Sequence, residues 1–411
     1  MSPRRSERGS PPRRGPVVLA AGGTGGHVFP AQALANELKA RGHRLVLITD
    51  RRGAGYEDAF PGVRLVRVRA AAFAGRGVAG RLAALAEIAA GTFAARRILG
   101  RLGPSAVVGF GGYPSLPAML AASRMAVPTM VHEQNAVLGR VNRFLAPRVT
   151  TVATSFAETR GLGERDLGKA ILTGNPVREA VAAIREVPYA PPDRDGALRL
   201  LVLGGSQGAT VFSDVVPEAA AALPQPLRRR LRVTQQCRPE DIERVRASYD
   251  AAGLTADLAT FIADVPALLA ATHLVLSRAG ASTVSELAVA GRPAILVPYP
   301  HATDDHQTAN ARALAQAGGA WLMPEEKFSA AACRESLEAL LTDSETLADM
   351  AAGARSAGRA GAARDLADLV ERLVAASGRG QGAPVPVEDQ GRGRAGASGP
   401  AADPAVGRAA A

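Results

Sequence analysis

Cysteine is almost absent from this chain of 411 residues, which contains only Cys237 and Cys333. Two cysteines so far apart exclude a disulfide framework and a zinc site built on cysteine ligands, and they fit a reducing cytoplasm. The sequence also has no run of 18 uncharged apolar residues, so no membrane-spanning helix is predicted. The apolar run at 17–21 is too short for the core of a signal peptide. We therefore expect any contact with a membrane to be peripheral.

Acidic residues are outnumbered by basic ones, and the net charge is +11. The termini, 1–15 and 377–411, are rich in proline, arginine and small residues, and we expect both to be disordered tails, the first of them strongly basic. The tails carry +5 of the net charge, which leaves +6 on the rest of the chain. A moderately basic body favours an anionic substrate or surface. No aromatic RNA-binding motif, zinc finger or basic helix is present, so nucleic acid is not predicted as a partner.

The chain is too long for one ordinary hydrophobic core, so two domains are expected. Short apolar runs alternate with helical stretches, which favours an α/β architecture with parallel sheets covered on both faces. The strand, glycine turn and helix start of 16–27 are repeated at 198–209. We predict two Rossmann-like domains that face each other across a cleft, at 16–183 and 198–352, joined by a proline-rich linker at 184–197.

The segment 353–376 is predicted to contain an amphipathic helix, because leucine and valine recur along one face of it. The apolar positions of that face are Leu366, Leu369, Val370, Leu373 and Val374. A helix with such a face must pack on another part of the protein.

Glycine-rich turns between a strand and a helix are the most informative local pattern. Residues 22–27 read GGTGGH, and residues 204–208 read GGSQG. Glycine lets the backbone approach a ligand closely, and the helix N-terminus behind the turn favours an anion. A dinucleotide fingerprint does not fit, because its third glycine position is occupied by Val28. Two such turns on two domains favour a ligand that is anionic or rich in hydroxyl groups.

A third segment, SRAGASTVSEL at 277–287, also joins a strand to a helix. Ser282 or Thr283 is predicted to be the N-cap of that helix. A diphosphate would meet the amides and hydroxyl groups there, and Glu286 would accept hydrogen bonds from a ribose. The alternative is a plain capping box, because Thr283 and Glu286 have the spacing of one.

Seven motifs occur in an order that resembles the MurG family of N-acetylglucosaminyltransferases, which act in peptidoglycan synthesis. The motifs are GGTGGHVFPAQALA, GFGGYPSLPAMLAA, HEQNAVLGRVNRFLA, TGNPVR, VLGGSQGA, SRAGASTVSELAVAGRPAILVPYP and DDHQTANARAL. The resemblance covers residues 16–375 and leaves out both tails. It implies the GT-B fold, in which the C-terminal domain holds the UDP-sugar, the N-terminal domain holds the acceptor, and the last helix returns to the N-terminal domain.

The resemblance also implies a reaction. N-acetylglucosamine (GlcNAc) would pass from UDP-GlcNAc, with inversion, to the C4 hydroxyl of N-acetylmuramic acid (MurNAc) in undecaprenyl-pyrophosphoryl-MurNAc-pentapeptide, which is lipid I. The products would be lipid II and UDP. The partners would be UDP-GlcNAc, lipid I and the anionic membrane surface, at the cytoplasmic face of the cell membrane, and no cofactor is implied.

Position by position, the resemblance assigns residues that bind the donor and the acceptor. The donor-binding residues are Thr24, Gly25, Gly26, Asn135, Arg178, Ser206, Ile262, Ala281, Ser282, Thr283, Val284, Ser285, Glu286 and Gln307. The acceptor-binding residues are Tyr113, His132 and Gln134. The backbone of Ile262 would line the uracil pocket, and Gln307 would reach the sugar hydroxyls. His306 departs from the glutamine that some members have, and its role is left open.

An inverting transfer needs a base for the acceptor hydroxyl and stabilisation of the departing UDP. His27 is the predicted base, because imidazole titrates near neutral pH. The alternatives are that His27 caps the helix after the glycine turn or only positions the substrate. Glu133 is a rival proton acceptor, and His132 would orient either one. Arg178 and the helix N-terminus near Ser282 would stabilise the leaving diphosphate.

A metal site is not predicted. A metal-dependent transferase would place a D-x-D motif at a strand end in the cleft, whereas the D-x-D at 193–195 lies in the linker. We interpret it as chance. The arginine and amide groups named above would replace the cation.

A helix predicted within 78–98 has apolar residues on one face and arginines around it. The apolar residues are Val78, Leu82, Leu85 and Ile88, and the arginines are Arg76, Arg81, Arg96 and Arg97. Such a face suits an anionic bilayer surface. The alternative is the ordinary core packing of an amphipathic helix.

Two other functions compete with the transferase. A UDP-GlcNAc 2-epimerase shares the GT-B shape, although the GGYPS and HEQN segments argue against it. A basic adapter that binds a membrane or nucleic acid without catalysis is the second alternative.

Overall fold

The structure is a computed structural model that describes residues 15–23, 25–50, 57–70, 78–205 and 208–377. The two predicted tails lie almost entirely outside these ranges. The described residues form two lobes, each built on a parallel sheet with helices on both of its faces.

The first lobe contains, among the described residues, a sheet of seven parallel strands in the order β3-β2-β1-β4-β5-β6-β7. The strands are β1 Val17–Ala20, β2 Leu45–Thr49, β3 Arg64–Arg67, β4 Ala106–Gly109, β5 Thr129–Glu133, β6 Thr151–Thr154 and β7 Ala170–Leu172. The central strands are continuous apolar runs and are fully buried, as strands covered on both faces must be. Val17 pairs with Leu45 on one side and with Ala106 on the other.

Helices cover both faces of this sheet. They are α1 Gly25–Ala40, α2 Val78–Leu102, α3 Gly112–Ala122, α4 Arg140–Leu145 and α5 Glu164–Leu167. One buried cluster joins β1 and β4 to α1, and the other joins the same strands to α2, α3 and α4. The helix α1 starts at Gly25, directly after the glycine turn, and continues through Pro30.

The second lobe repeats this topology in a sheet of six parallel strands, in the order β10-β9-β8-β11-β12-β13. The strands are β8 Leu198–Leu203, β9 Leu231–Gln236, β10 Thr255–Ala259, β11 Leu274–Ser277, β12 Ala294–Leu296 and β13 Ala320–Leu322. The helices are α6 Glu179–Ile184, α7 Thr210–Ala221, α8 Gln225–Arg230, α9 Ile242–Ala251, α10 Val265–Ala271, α11 Ala281–Ala290, α12 His306–Gln316, α13 Ala330–Thr342 and α14 Ser344–Ala357.

The chain passes between the lobes twice. After β7 it crosses at 175–178, and Val181 and Ile184 of α6 then pack in the core of the second lobe. After α14 it crosses back at 358–361, and α15, Ala362–Ser377, packs on α1 and β4. The apolar face predicted for this helix is buried there: Leu366, Leu369, Val370, Leu373 and Val374 are all between 0% and 5% exposed. The predicted return of the last helix to the N-terminal lobe is therefore confirmed.

Candidate functional site

The strand order of the first sheet changes direction between β1 and β4, and ligands of open parallel sheets bind at such a point, beyond the carboxyl ends of the strands. The loops after these two strands are GGTGGH and FGGYP. A Cβ on Gly22 would lie 2.9 Å from Cβ of Pro114, and a Cβ on Gly112 would lie 3.3 Å from Nε2 of His27. Glycine at both positions lets the two loops meet. Thr24 lies outside the described residues.

His27 is half-buried, in the first turn of α1, and it starts a chain of hydrogen bonds. Its Nδ1 lies 3.0 Å from Oε1 of Gln134. Nε2 of Gln134 lies 3.0 Å from Nδ1 of His132 and donates to the His132 carbonyl at 3.0 Å. Nε2 of His132 lies 3.1 Å from the carbonyl oxygen of Gly174. The predicted base is thus connected through β5 to the segment that crosses between the lobes.

His132 is fully buried, and Gln134 is 1% exposed. Burial lowers the pKa of His132 from 6.5 to about 4, an effect that the Gly174 carbonyl opposes and nearby His27 reinforces. His132 is therefore a neutral imidazole at neutral pH. The burial of both side chains argues against their predicted contact with the acceptor, because they lie behind His27. Tyr113, in the first turn of α3, is half-buried, and its predicted acceptor contact stays a prediction.

Glu133 is buried and accepts four hydrogen bonds, three from the loop that follows it and one from α4. One carboxylate oxygen accepts from the backbone and side-chain amides of Asn135, at 3.0 and 3.2 Å. The other oxygen accepts from the Gly139 amide at 2.8 Å and from Nδ2 of Asn142 at 2.9 Å. A carboxylate with about four acceptor positions is filled by these donors. This arrangement favours a structural role for Glu133 over the predicted role as proton acceptor.

The second sheet changes direction between β8 and β11, so its site elements are the loop at 204–209 and the start of α11. A Cβ on Gly204 would lie 2.5 Å from the backbone nitrogen of Ala209, so the loop closes tightly only with glycine. Ser206 lies outside the described residues. Ile262, in the loop before α10, is half-buried against the core of this lobe.

The N-cap of α11 lies two residues before Ser282, the earlier of the two predicted positions. This N-cap is Gly280, which makes no side-chain cap, and Ser282 and Thr283 lie inside the first turn. The capping-box interpretation is therefore wrong, because the extended backbone of Gly280, at φ −62° and ψ 145°, takes the capping position. The first-turn amides lack a side-chain cap, which is the arrangement of an anion site. Val284 is buried in the core, so only its backbone is available to a ligand.

Arg178 and Glu286, both predicted to bind the donor, form a bidentate ion pair with each other. Nε and Nη2 of Arg178 donate to the two carboxylate oxygens of Glu286 at 2.9 and 3.0 Å. The pair connects the first interlobe crossing to α11. It takes two of five guanidinium N–H groups and two of about four acceptor positions, so both groups keep capacity for a ligand.

Gln307 and Asn310 lie one turn apart on α12; Gln307 bonds within the second lobe, and Asn310 joins the two lobes. Oε1 of Gln307 accepts from the amides of Ala279 and Tyr299, at 3.1 and 3.0 Å, which turns its NH2 group away from them. The buried Asn310 donates to Oδ1 of Asn135 at 3.1 Å and accepts from the Ala136 amide at 2.8 Å. Asn310 is a site residue that was not predicted, although its position three residues after Gln307 places it on the same face of the helix.

His306, whose role was left open, has its Nδ1 2.7 Å from the Thr303 carbonyl oxygen. The neighbouring Asp304 and Asp305 have φ values of 54° and 51°, which are unusual for residues other than glycine. Oδ2 of Asp304 lies 3.3 Å from Nη2 of Arg143 on α4. This turn is thus a second bridge between the lobes.

The long helix α2 presents two different faces. Ala84, Ile88, Gly91 and Ala95 face the core, and the prediction that Ile88 lies on the exposed apolar face is wrong. The opposite face leaves Leu82 63%, Leu85 54% and Phe93 58% exposed. Arg97 stacks over Phe93, with 4.5 Å from the guanidinium carbon to the ring centroid. Arg76 and the side chains of Val78 and Arg81 lie outside the described part.

Within the described ranges, no three His, Cys, Asp or Glu residues are grouped so that they could hold a metal ion. No helix among the same residues has the length and apolar character needed to cross a membrane. The D-x-D sequence lies in the segment between α6 and β8, where Asp193 accepts a hydrogen bond from Arg230 on its backbone oxygen.

Family models match both lobes. Residues 17–154 match the glycosyltransferase family 28 N-terminal domain, and residues 199–370 match the glycosyltransferase family 28 C-terminal domain. A Rhodospirillum centenum protein is 55% identical over 371 residues, which cover 90% of this chain and 97% of that protein. It is named UDP-N-acetylglucosamine–N-acetylmuramyl-(pentapeptide) pyrophosphoryl-undecaprenol N-acetylglucosamine transferase.

Solved structures agree with this match. The crystal structure of Acinetobacter baumannii MurG is 30% identical, covers 87% of this chain and 99% of that chain, and superposes with a TM-score of 0.71. A Listeria monocytogenes protein assigned as a UDP-N-acetylglucosamine 2-epimerase has a TM-score of 0.57 at 15% identity, with 85% and 94% coverage. That likeness shows the shared GT-B fold alone. With two family 28 domains and a relative at 55% identity over nine-tenths of its length, this chain is a glycosyltransferase that belongs to the MurG family.

Proposed function

We propose that this chain transfers GlcNAc from UDP-GlcNAc to the C4 hydroxyl of MurNAc in lipid I, with inversion, and releases lipid II and UDP. One observation carries the proposal: hydrogen bonds connect the switch points of the two lobes. His27 bonds to Gln134, and the next residue, Asn135, accepts from Asn310 of the second lobe. Asn310 also donates to the carbonyl of Ala279, directly before the uncapped N-terminus of α11. The name of the Rhodospirillum centenum relative supports the choice of donor and acceptor.

In the reaction, Nε2 of His27 takes the proton of the acceptor hydroxyl while the hydroxyl oxygen bonds to C1 of GlcNAc. The bond between C1 and the diphosphate oxygen breaks, and its electron pair leaves with UDP. Attack on the face opposite to the leaving group gives inversion. Each of these changes develops charge in the cleft, where fixed donors and acceptors are most effective.

The leaving diphosphate would lie against the first-turn amides of α11, next to Arg178. Amides at a helix N-terminus and a guanidinium both stabilise an oxygen anion as its charge grows. Glu286 has acceptor positions left for ribose hydroxyls. The side-chain oxygen of Gln307 accepts from two backbone amides, so its NH2 group points away from them and would donate to the sugar hydroxyls. We infer that these groups make a bound metal ion unnecessary.

Acceptor-dependent release of UDP tests the proposal. The protein is incubated with UDP-GlcNAc, with and without a lipid I analogue, and in buffer with EDTA or with magnesium. We expect UDP only in the presence of the acceptor, at the same rate in EDTA. Formation of UDP-N-acetylmannosamine without acceptor would identify an epimerase, and no turnover would indicate an adapter. Loss of activity in EDTA with rescue by magnesium would contradict the metal-independent mechanism.

We further propose that the protein binds the cytoplasmic face of the cell membrane through the exposed face of α2. Leu82, Leu85 and Phe93 would enter the headgroup region, and the exposed Arg96 and Arg97 would contact anionic lipids. Leu85→Ser should weaken binding to phosphatidylglycerol vesicles in a sedimentation assay. Val187→Ser, at a similarly exposed apolar residue in the segment after α6, is the control and should bind normally.

A further inference from the structure

The glutamine between His27 and His132 can take only one orientation. Its amide nitrogen lies 3.0 Å from the backbone carbonyl oxygen of His132, which only accepts hydrogen bonds. The NH2 group of Gln134 must therefore point to that carbonyl, and its Oε1 must point to Nδ1 of His27. Because an amide oxygen only accepts, Nδ1 of His27 has to carry a proton.

The tautomer of His132, at the other end of this hydrogen-bond chain, is determined in the same way. The second N–H of the Gln134 amide points to Nδ1 of His132, at 3.0 Å, so this nitrogen accepts. The proton of the neutral His132 ring then lies on Nε2, which donates to the Gly174 carbonyl at 3.1 Å. Ser155 Oγ, 3.4 Å from the same Nε2, donates to the Glu133 carbonyl and is an acceptor for the ring. Every donor in the hydrogen-bond chain from His27 to Gly174 therefore faces an acceptor.

We propose that Gln134 is a positioning residue that holds His27 in the Nδ1–H tautomer, so that Nε2 presents its lone pair to the acceptor hydroxyl. His132 acts behind it by fixing the orientation of the Gln134 amide. Beside Nε2 stands Gly112, with φ +68°, and a side chain there would come within 3.3 Å of that nitrogen. Glycine keeps the basic nitrogen accessible. The catalytic part of this inference rests on the proposed function.

Histidine nitrogen NMR tests the tautomer without any activity measurement. The chain has six histidines, so labelling with 15N-histidine gives a small set of signals, and the signals missing from His27→Asn identify His27. In the wild type we expect Nδ1 of His27 to have the shift of a protonated, pyrrole-like nitrogen and Nε2 that of a pyridine-like nitrogen. The reversed assignment would overturn the proposal.

The kinetics of Gln134→Met test whether the tautomer of His27 matters for catalysis. This variant keeps the side-chain length but removes both the acceptor for His27 and the donors to His132. We expect kcat to fall by between ~10-fold and ~10⁴-fold, the latter being the cost of a wrong histidine tautomer in a protease triad. The KM for UDP-GlcNAc should stay unchanged, and the NMR signals of His27 should shift toward the other tautomer.

The matched control is Gln235→Met, because Gln235 is also fully buried and hydrogen-bonded, to the Tyr249 hydroxyl in the second lobe. It should keep both kcat and the His27 tautomer. If Gln134→Met behaves like this control in both measurements, the proposal is overturned. A wild type that shows the Nδ1–H tautomer but no acceptor-dependent UDP release would contradict the proposed function alone.

Discussion

The first six strands of each lobe have the same order, and a glycine-rich sequence follows the first strand of each, but the groups at the two switch points differ. In the first lobe, a histidine side chain occupies the switch point, and a buried hydrogen-bond chain orients it. In the second lobe, the same point presents backbone amides at an uncapped helix end, next to an ion pair. In the proposed mechanism the fold determines where a ligand lies, and the groups at each switch point determine whether that place accepts a proton or holds an anion.

The largest effect is expected from a substitution of the proposed base in the first lobe. His27→Ala should lower kcat by ~10²- to 10⁴-fold, because a positioned base is lost. The affinity for UDP-GlcNAc, measured by calorimetry, should be unchanged, since the proposed diphosphate site lies on the other lobe. His43→Ala is the control, because His43 pairs with Glu371 between α1 and α15, away from the switch point. A His27→Ala variant that folds and keeps normal kcat would exclude His27 as the base.

Arg178→Ala tests whether the second lobe stabilises the leaving diphosphate. Removal of one preorganised donor to a developing anion costs about 2.7–4 kcal/mol, so kcat should fall by roughly 10²- to 10³-fold. Arg229→Ala, at an exposed arginine of α8, should have no effect. If Arg178→Ala raised only the KM for UDP-GlcNAc, the arginine would bind the ground state rather than the departing diphosphate.

The buried histidine in the hydrogen-bond chain of the first lobe, His132, should make the free energy of unfolding depend on pH. Because burial lowers the pKa of His132 to about 4, the unfolded chain takes up a proton near pH 6.5 while the folded protein does not. The stability present above pH 6.5 is therefore lost as pH falls to 4, by about 3 kcal/mol. Urea unfolding of the wild type and of His132→Asn at pH 7 and pH 4.5 measures this loss. An equal pH dependence in both proteins would contradict it.

The smallest expected effect concerns the ribose. A hydrogen bond to a charged group contributes about 1.5–3 kcal/mol, so the wild type should prefer UDP-GlcNAc over its 2′-deoxyribose analogue by roughly 10- to 100-fold in kcat/KM. Glu286→Ala should reduce this preference. An unchanged ratio would show that Glu286 serves only to orient Arg178.

The fold was predictable from the sequence because its signals are local. The apolar runs of β1, β2, β4, β5 and β6, the glycine turns and the amphipathic face of α15 each lie within one short segment. The buried face of α2 was not predictable in this way. Gly91 brings the helix so close that a Cβ there would lie 2.0 Å from the carbonyl oxygen of Arg69, and this contact turns Ile88 inward.

The residues of the candidate site were predictable, but the contacts between them were not. The motifs identified His27, Gln134, Arg178 and Glu286, but their pairing depends on which strands and helices become neighbours in space. The Arg178–Glu286 pair joins residues 108 positions apart, and the His27–Gln134 pair joins residues 107 positions apart. The burial of His132 and Gln134 argues against their predicted contact with the acceptor, and no local sequence pattern indicates burial of that kind.

The two interlobe crossings come together next to Gly174, the residue before the first crossing, where a Cβ would lie 2.9 Å from Cβ of Arg359 in the second crossing and 3.2 Å from Cβ of Ala362 at the start of α15. Two adjacent crossings favour rotation of the lobes about this point over sliding of one lobe along the other. Since the Gly174 carbonyl also accepts the hydrogen bond of His132, the pivot of any such rotation and the anchor of the imidazole chain are the same residue.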